Sequence, residues 1–305
     1  MSLKTLVQSM QQTKAHFKDI QNIEYSKVAD FYWFNLIQTK EDRLITDRTF
    51  TGFDRKPEVA LAKATSECIE RSSFSAGHKQ GLKSCSTERS DGFAAYPNIG
   101  IDSDLAKSKA RDNALAEALE RFAWATWWDD ADVAYAHKTF SIEQFAIQYL
   151  ECSKVLLEIH QQRPIVKIHL IQPDFENYTA YQLNIVVVEF IDGVVTGGAC
   201  GNLNDELSIM TRAISELLRH ALVLIQNKNK PVELSFYEKR LLYYASSDGK
   251  RSFYKRLAHS GSKKIVFPYL VIDEKIPSAE SHSVHRCLFE NQPAFIGGAI
   301  ERMCL

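Results

Sequence analysis

Hydrophobic and polar positions divide the first half of the chain into extended and helical stretches. An aromatic run at residues 31–37 predicts a buried strand, because short apolar runs rich in aromatic residues are typical of strands. Residues 58–74 are rich in alanine and straight-chain residues and follow Pro57, which favours the first turn of a helix. A loop rich in serine and glycine follows, and a second helix is predicted at about residues 104–128.

The second half alternates between the same two patterns. β-Branched runs predict strands within residues 163–172 and 178–200, and Asp192-Gly193 is typical of a tight hairpin turn. A third helix is predicted at about residues 205–227. The remaining predictions are a helical stretch around 237–257, a strand at 264–272 and a short strand or turn at 293–300. Mixed strands and helices without a dividing linker predict a layered α/β or α+β fold in one domain, residues 1–305.

The three predicted helices share one pattern: alanine, two residues, glutamate, two residues and a charged residue. The copies are Ala64-x-x-Glu67-x-x-Glu70-Arg71, Ala114-x-x-Glu117-x-x-Glu120-Arg121 and Arg212-Ala213-x-x-Glu216-x-x-Arg219. Another alanine, Ala60 or Ala110, lies one turn before each of the first two copies. Since residues three apart share a helical face, the paired glutamates lie side by side.

Two interpretations of these acidic faces are open. A single such motif is usually solvated surface, where the adjacent arginine reduces the repulsion. Repetition on three helices, each with small residues that permit close approach, favours rows of carboxylates that line a cleft. Such carboxylates suit Mg²⁺, which binds one or two of them together with phosphate oxygens, and arginine binds phosphate through its planar fork.

Composition excludes several classes of protein. Lys and Arg number 37 against 38 Asp and Glu, a net charge of −1, so no overall positive field would hold nucleic acid. The sequence shows neither a run of about 18 apolar residues nor the apolar core of a signal peptide, so we expect a cytoplasmic protein without a membrane partner. The 45% hydrophobic content is sufficient for a folded core.

Candidate residues outside the repeat favour structural roles. Trp124, Trp127 and Trp128 have the spacing of a core stripe, and His220 is expected to be capping or solvated, with a proton shuttle as the alternative. The six cysteines form no Cys-x-x-Cys pair. The segment SHSVHRC at residues 281–287 has ligand spacing for part of a metal site, but no second cluster completes it, and no metal is predicted there.

At the repeated helices the sequence resembles the YcaO superfamily. TSECIER, NALAEALER and the AISE helix resemble the three Glu-bearing helices of that family. The stretch Ser90-Asp91-Gly92-Phe93-Ala94-Ala95-Tyr96 stands where the family has Ser-x-Gly-x-Ala-x-Gly. The match spans about residues 55–225, which the resemblance implies to be a nucleotide-binding core. It implies a YcaO-like fold of mixed β-sheets layered with the Glu-bearing helices.

The resemblance also implies ATP and Mg²⁺ as cofactors and assigns residues to them. The implied metal ligands are Glu67, Glu70, Glu117, Glu120 and Glu216. The implied ATP-binding residues are Ser90, Gly92, Arg121 and Arg212.

The implied activity is that of an ATP-dependent cyclodehydratase or thioamidation enzyme, as in the biosynthesis of ribosomally made, modified peptides. A nucleophile adds to a peptide amide carbonyl, ATP phosphorylates the oxygen, and loss of phosphate leaves an azoline, thioamide or amidine. No protein nucleophile is needed, so no catalytic residue is assigned. The implied partners are a peptide or protein substrate and a protein for substrate recognition or sulfur delivery, and a homodimer is left open.

Three positions depart from the family pattern. Tyr96 replaces the last glycine of the loop, Lys109 stands where many members have glutamate, and Arg219 replaces a frequent glutamine or glutamate. The proline-rich tail of many ring-forming members is also not seen. These departures support an alternative: a noncatalytic YcaO-like subunit that binds a leader peptide or scaffolds an active enzyme.

Overall fold

The structure is a computed structural model, and nine segments of the chain are described. They are residues 10, 20–28, 31–38, 49–79, 91–98, 102–226, 236–277, 281–295 and 299–303. The chain divides into two compact units, each assembled from separate segments. The first comprises Met1–Thr87, Phe93–Leu115 and Ile272–Cys287, and the second Glu88–Gly92, Ala116–Val271 and Leu288–Leu305. The organisation of the chain as a single domain remains a prediction.

The first unit begins with an antiparallel sheet covered by a long helix. Strands β1 (Ile20–Val28), β2 (Phe31–Gln38) and β3 (Thr49–Asp54) pair in that order. Helix α1 (Pro57–Lys79) packs on the sheet through its alanines, and a Cβ added to Gly52 of β3 would lie 1.8 Å from the carbonyl oxygen of Ala60. Glycine is therefore required at this approach.

A second three-stranded sheet belongs mainly to the first unit. Its order is β4-β10-β9, formed by β4 (Gly92–Pro97), β9 (Leu270–Ile276) and β10 (His282–Phe289). Phe93, Ile276 and Val284 of these strands form a small core with Ile69 of α1. Helix α2 (Ser103–Asp129) contributes residues to both units.

The second unit is built on a four-stranded antiparallel sheet. Its strands, in spatial order, are β5 (Tyr135–Phe140), β6 (Lys167–Pro173), β7 (Tyr181–Glu189) and β8 (Val194–Asn202). The Asp192-Gly193 turn joins β7 and β8 as predicted. The helices are α3 (Ile142–Gln148), α4 (Leu150–Gln162), α5 (Glu206–Gln226), α6 (Phe236–Tyr244) and α7 (Ser247–Leu257).

The three repeat helices are confirmed as α1, α2 and α5, whereas two other predictions were wrong in detail. The helical stretch predicted at 237–257 is interrupted, because Ser246 caps α7 and a Cβ on Gly249 would lie 2.4 Å from the Tyr243 carbonyl oxygen. The strand predicted at 264–272 begins only at Leu270, after Pro268. The strand or turn predicted at 293–300 lies partly outside the described residues and forms no strand within them.

The tryptophan stripe is confirmed as core, since Trp124 and Trp127 are fully buried. No helix in the described part of the chain combines the length and apolarity needed to span a bilayer.

Candidate functional site

Glycines in β8 bring two of the acidic helices of the second unit close to one strand. A Cβ on Gly197 would lie 2.2 Å from the backbone nitrogen of Leu217 in α5. A Cβ on the next residue, Gly198, would lie 2.2 Å from the ring of Trp124 in α2. The strand backbone therefore serves as the packing surface for both helices, and Glu120 of α2 accepts a hydrogen bond from it at Cys200.

Glu120 is the most perturbed carboxyl group of this site. It is only partly exposed, and its Oε2 accepts a hydrogen bond of 3.0 Å from the backbone amide of Cys200. Burial raises the pKa of Glu120 to about 8; Arg212 opposes this rise, and the negative charges of Glu216 and Glu117 add to it. The structure thus brings four predicted site residues into one electrostatic cluster.

Glu216 has the opposite behaviour although it belongs to the same cluster. Burial opposes its ionisation, but the positive charge of Arg219 and the adjacent His220 ring outweigh burial and lower its pKa to about 2. Oε1 of Glu216 lies 3.3 Å from Nε2 of His220, and Arg219 donates to the same oxygen. Glu216 is therefore ionised at neutral pH, whereas the raised pKa of its neighbour Glu120 favours the protonated form.

The expectation that His220 is capping or solvated was wrong. His220 is fully buried, and its Nδ1 lies 2.5 Å from the carbonyl oxygen of Thr196 in β8. Nδ1–H donates to that oxygen, which leaves Nε2 facing Glu216. The i, i+4 spacing from Glu216 was the available sequence signal, because residues four apart share a helical face.

Arg121 connects α2 to the segment that contains the predicted glycine-bearing loop. It donates hydrogen bonds to Glu117 and to the carbonyl oxygen of Asp91, and its guanidinium lies 5.9 Å from the centre of the Phe295 ring. Gly92 follows Asp91 and begins β4, whereas Ser90 lies outside the described residues.

Arg212 is the exposed cation of the cluster. Within the described segments it has no ion-pair partner, and its Nη1 lies 3.7 Å from the position of a Cβ on Gly201. Glycine at 201 leaves room next to this guanidinium. Such an arginine is available to bind an anion, since its donors are arranged as a planar fork.

The other two predicted metal ligands lie on α1 in the first unit. Glu67 accepts a hydrogen bond of 2.6 Å from the backbone amide of Thr51 in β3 and forms an ion pair with Arg71. Glu70 is partly buried one turn further along the helix. The role of both residues in metal binding remains a prediction.

The donor set of the second unit fits a hard divalent cation with a phosphate. The side chains offer only oxygen ligands, which Mg²⁺ prefers; they belong to Glu117, Glu120 and Glu216. Repulsion from the other two carboxylates adds to the effect of burial in raising the pKa of Glu120. A bound cation would relieve that repulsion, and Arg212 lies within the same cluster.

The structure resembles solved structures of one fold. No family model matches the sequence, and no curated protein matches it. Among solved structures, YcaO from Methanopyrus kandleri bound with AMPPCP and Mg²⁺ aligns with a TM-score of 0.53 at 12% identity, covering 95% of this chain and 90% of that chain. The chain has the YcaO fold.

A second solved structure with similar architecture is the E. coli microcin synthetase McbBCD complex with pro-MccB17 bound. One of its chains aligns with a TM-score of 0.52 at 10% identity, covering 90% of this chain and 88% of that chain. The YcaO fold thus extends over nearly the whole chain, beyond the 55–225 region in which the sequence resemblance was seen.

Within the YcaO fold, the sequence motifs missed the backbone groups that hold the glutamates. The amides of Thr51 and Cys200 each donate to a glutamate, and each precedes a glycine that faces a helix: Gly52 meets the backbone of α1, and Gly201 meets the Ile209 side chain of α5. Backbone donors have no residue signature, and only the glycine next to each one could have indicated the contact.

Proposed function

We propose that this protein binds ATP with Mg²⁺ and uses it to activate a peptide amide. The supporting observation is the cluster around Glu120, where burial and two neighbouring carboxylates raise a glutamate pKa to about 8. A carboxyl group held in this state gains from a divalent cation, because the cation favours its ionised form. The proposed metal ligands are Glu117, Glu120 and Glu216, with Glu67 and Glu70 of the first unit.

Phosphate binding is assigned to Arg212, Arg121, Gly92 and Ser90. Arg212 has a guanidinium without an ion-pair partner in the described segments, next to Glu120. Arg121 is fixed by Glu117 and the Asp91 carbonyl, so little side-chain entropy remains to be lost on binding. The M. kandleri neighbour, which holds AMPPCP and Mg²⁺, supports ATP and Mg²⁺ as the ligands.

The proposed reaction is a phosphoryl transfer to an amide oxygen. A nucleophile adds to the amide carbonyl carbon, the resulting oxyanion takes the γ-phosphoryl group of ATP, and ADP leaves. Loss of phosphate then gives an azoline, thioamide or amidine, according to the nucleophile. The protein's contribution would be positioning and charge stabilisation by the arginines, as is general for phosphoryl transfer. The neighbour in the microcin synthetase McbBCD complex, which has pro-MccB17 bound, supports a peptide substrate and partner proteins.

Nucleotide binding tests the proposal directly. Calorimetry with a non-hydrolysable ATP analogue should show binding that requires Mg²⁺. Replacing Glu117 and Glu120 together by Gln should weaken it by about 100-fold or more, since metal ligands are lost. A matched control is Glu58→Gln, which changes an exposed glutamate on α1 and should leave affinity unchanged. Absence of binding to the wild type, or equal affinity in the double variant, would refute the proposal.

One observation favours a noncatalytic partner subunit as the second candidate. Arg219, which departs from the family pattern, forms an ion pair with Glu216. Its positive charge therefore competes with a metal ion for this proposed ligand. On this candidate, Arg219→Gln would increase Mg²⁺-dependent binding of the ATP analogue. Release of ADP by the wild-type protein, accompanied by a mass change in a substrate peptide, would exclude a purely scaffolding role.

A further inference from the structure

Three side chains of the first unit that differ in chemistry meet on one sheet. They are Asp273, His285 and Cys287, whose ligand atoms all lie within 4.8 Å of one another. Nε2 of His285 lies 2.7 Å from Oδ1 of Asp273, and Sγ of Cys287 lies 3.9 Å from the same oxygen. Ligand atoms around a tetrahedral zinc ion, with bonds of about 2.0–2.3 Å, lie about 3.3–3.6 Å apart. Small side-chain shifts would therefore place all three on one ion.

Strand pairing explains why the sequence did not show this cluster. His285 and Cys287 alternate onto the same face of β10, and Asp273 comes from β9, its neighbour in the sheet. The segment SHSVHRC thus contains only two of the three groups. His282 has the opposite parity in the strand, and its Nδ1 lies 3.0 Å from the hydroxyl of the adjacent Ser281.

Arg111 of α2 holds the Asp273 carboxylate in position. Its Nε lies 3.0 and 3.1 Å from the two carboxylate oxygens, and its Nη2 lies 2.6 Å from Oδ2. Carboxylates that bind metals are commonly fixed by such outer hydrogen bonds. The guanidinium also offsets one of the two negative charges that a carboxylate and a thiolate bring together.

A cavity adjoins the cluster. It has a volume of about 360 Å³ and opens to solvent. The polar residues that line it are Lys107, Ser108, Arg111, Lys275, Ser283 and His285. His285 and Arg111 therefore face both the cluster and a space large enough for water or a small anion.

We propose that Asp273, His285 and Cys287 bind one Zn²⁺ ion whose fourth position opens toward this cavity. The combination of a thiolate, an imidazole and a carboxylate suits zinc, whereas Mg²⁺ takes oxygen ligands and belongs with the glutamates. Zinc sites that bind water or another exchangeable ligand typically have three protein ligands and an open fourth position. The lysines and Arg111 would favour an anion at that position.

Cobalt substitution tests the site on the full chain. Metal-free protein should bind one equivalent of Co²⁺ with a thiolate-to-cobalt charge-transfer band, which Zn²⁺ displaces. Cobalt bound at the glutamates would give no such band. Peptide mapping after alkylation should show that Zn²⁺ slows modification of Cys287 but not that of Cys200, which is also buried and lies in the second unit.

Variants assign the ligands. His285→Gln and Asp273→Asn should each weaken Zn²⁺ binding by about 100-fold or more, and Arg111→Lys by about 10-fold, because outer-shell changes cost about 10–100-fold. His282→Gln, in the same strand, should bind as the wild type does. A wild-type protein without the thiolate band, or without protection of Cys287, would overturn the proposal whether or not the variants fold.

Discussion

The backbone amide of Cys200 donates a hydrogen bond of 3.0 Å to the carboxylate of Glu120. In the first unit, the amide of Thr51 donates in the same way to Glu67, at 2.6 Å. In both cases the donor precedes a glycine of a strand, and a glutamate reaches the strand from an alanine-lined helix. One amide does not offset the burial of Glu120 beside two other carboxylates, so its pKa remains high.

The raised pKa of Glu120 predicts a stability that falls with pH. In the folded protein the pKa of Glu120 is about 8, against an ordinary value of 4.5. Between these two pH values the folded protein therefore holds a proton that the unfolded chain has released. This contribution is fully present below pH 4.5 and is lost as pH rises through about 8, with a limiting slope of about 1.4 kcal/mol per pH unit. Glu216 does not cancel it, because a carboxyl with a pKa of about 2 loses its contribution only in acid.

Glu120→Gln should remove this slope, since the amide cannot ionise. Urea unfolding of the metal-free protein between pH 5.5 and 7.5 should show the wild type losing stability relative to the variant as pH rises. Glu58→Gln, at an exposed position, should follow the wild type. Parallel curves for the wild type and Glu120→Gln would show that Glu120 is ionised throughout this range.

The contact between α5 and β8 predicts that Gly197 tolerates no side chain. An added Cβ would lie 2.2 Å from the Leu217 nitrogen and 2.3 Å from the Ala213 carbonyl oxygen, both backbone atoms that cannot move alone. Gly197→Ala should therefore lower the free energy of unfolding by about 3 kcal/mol, the upper range for overpacking.

Gly201→Ala is the matched control on the same strand. Its Cβ would lie 2.9 Å from a side-chain carbon of Ile209, which can shift, and 3.7 Å from Arg212. We expect a loss of less than about 1.5 kcal/mol. Equal losses for the two variants in urea unfolding would contradict the backbone contact at Gly197.

The sequence predicted the helices of the repeat well because their signal is local. Alanine and glutamate at spacings of three and four specify both the helix and its packing face, as the buried Ala60, Ala64 and Ala213 show. Neighbouring residues in sequence were sufficient for these elements.

Tertiary context decided the elements that the sequence missed. Strand β5 has four consecutive exposed residues and so lacks the alternation by which a strand is recognised, yet it pairs along its length with β6. Likewise, Asp273 and His285 are 12 residues apart, and only the pairing of their strands brings them to 2.7 Å. Chemistry that depends on two strands is not visible in either strand alone.

The buried His220 predicts a specific order of stability among its variants. Its Nδ1–H donates a hydrogen bond to the Thr196 carbonyl oxygen, with 2.5 Å between nitrogen and oxygen. The ring packs against the Tyr237 ring, with 5.6 Å between the ring centroids. His220→Leu fills much of the space but leaves that carbonyl oxygen without this donor, which should cost about 1–3 kcal/mol. His220→Asn places an amide near the position of Nδ1 and should recover part of that loss. Urea unfolding at pH 7 measures both, and a leucine variant as stable as the wild type would show that the hydrogen bond contributes nothing to the stability of the fold.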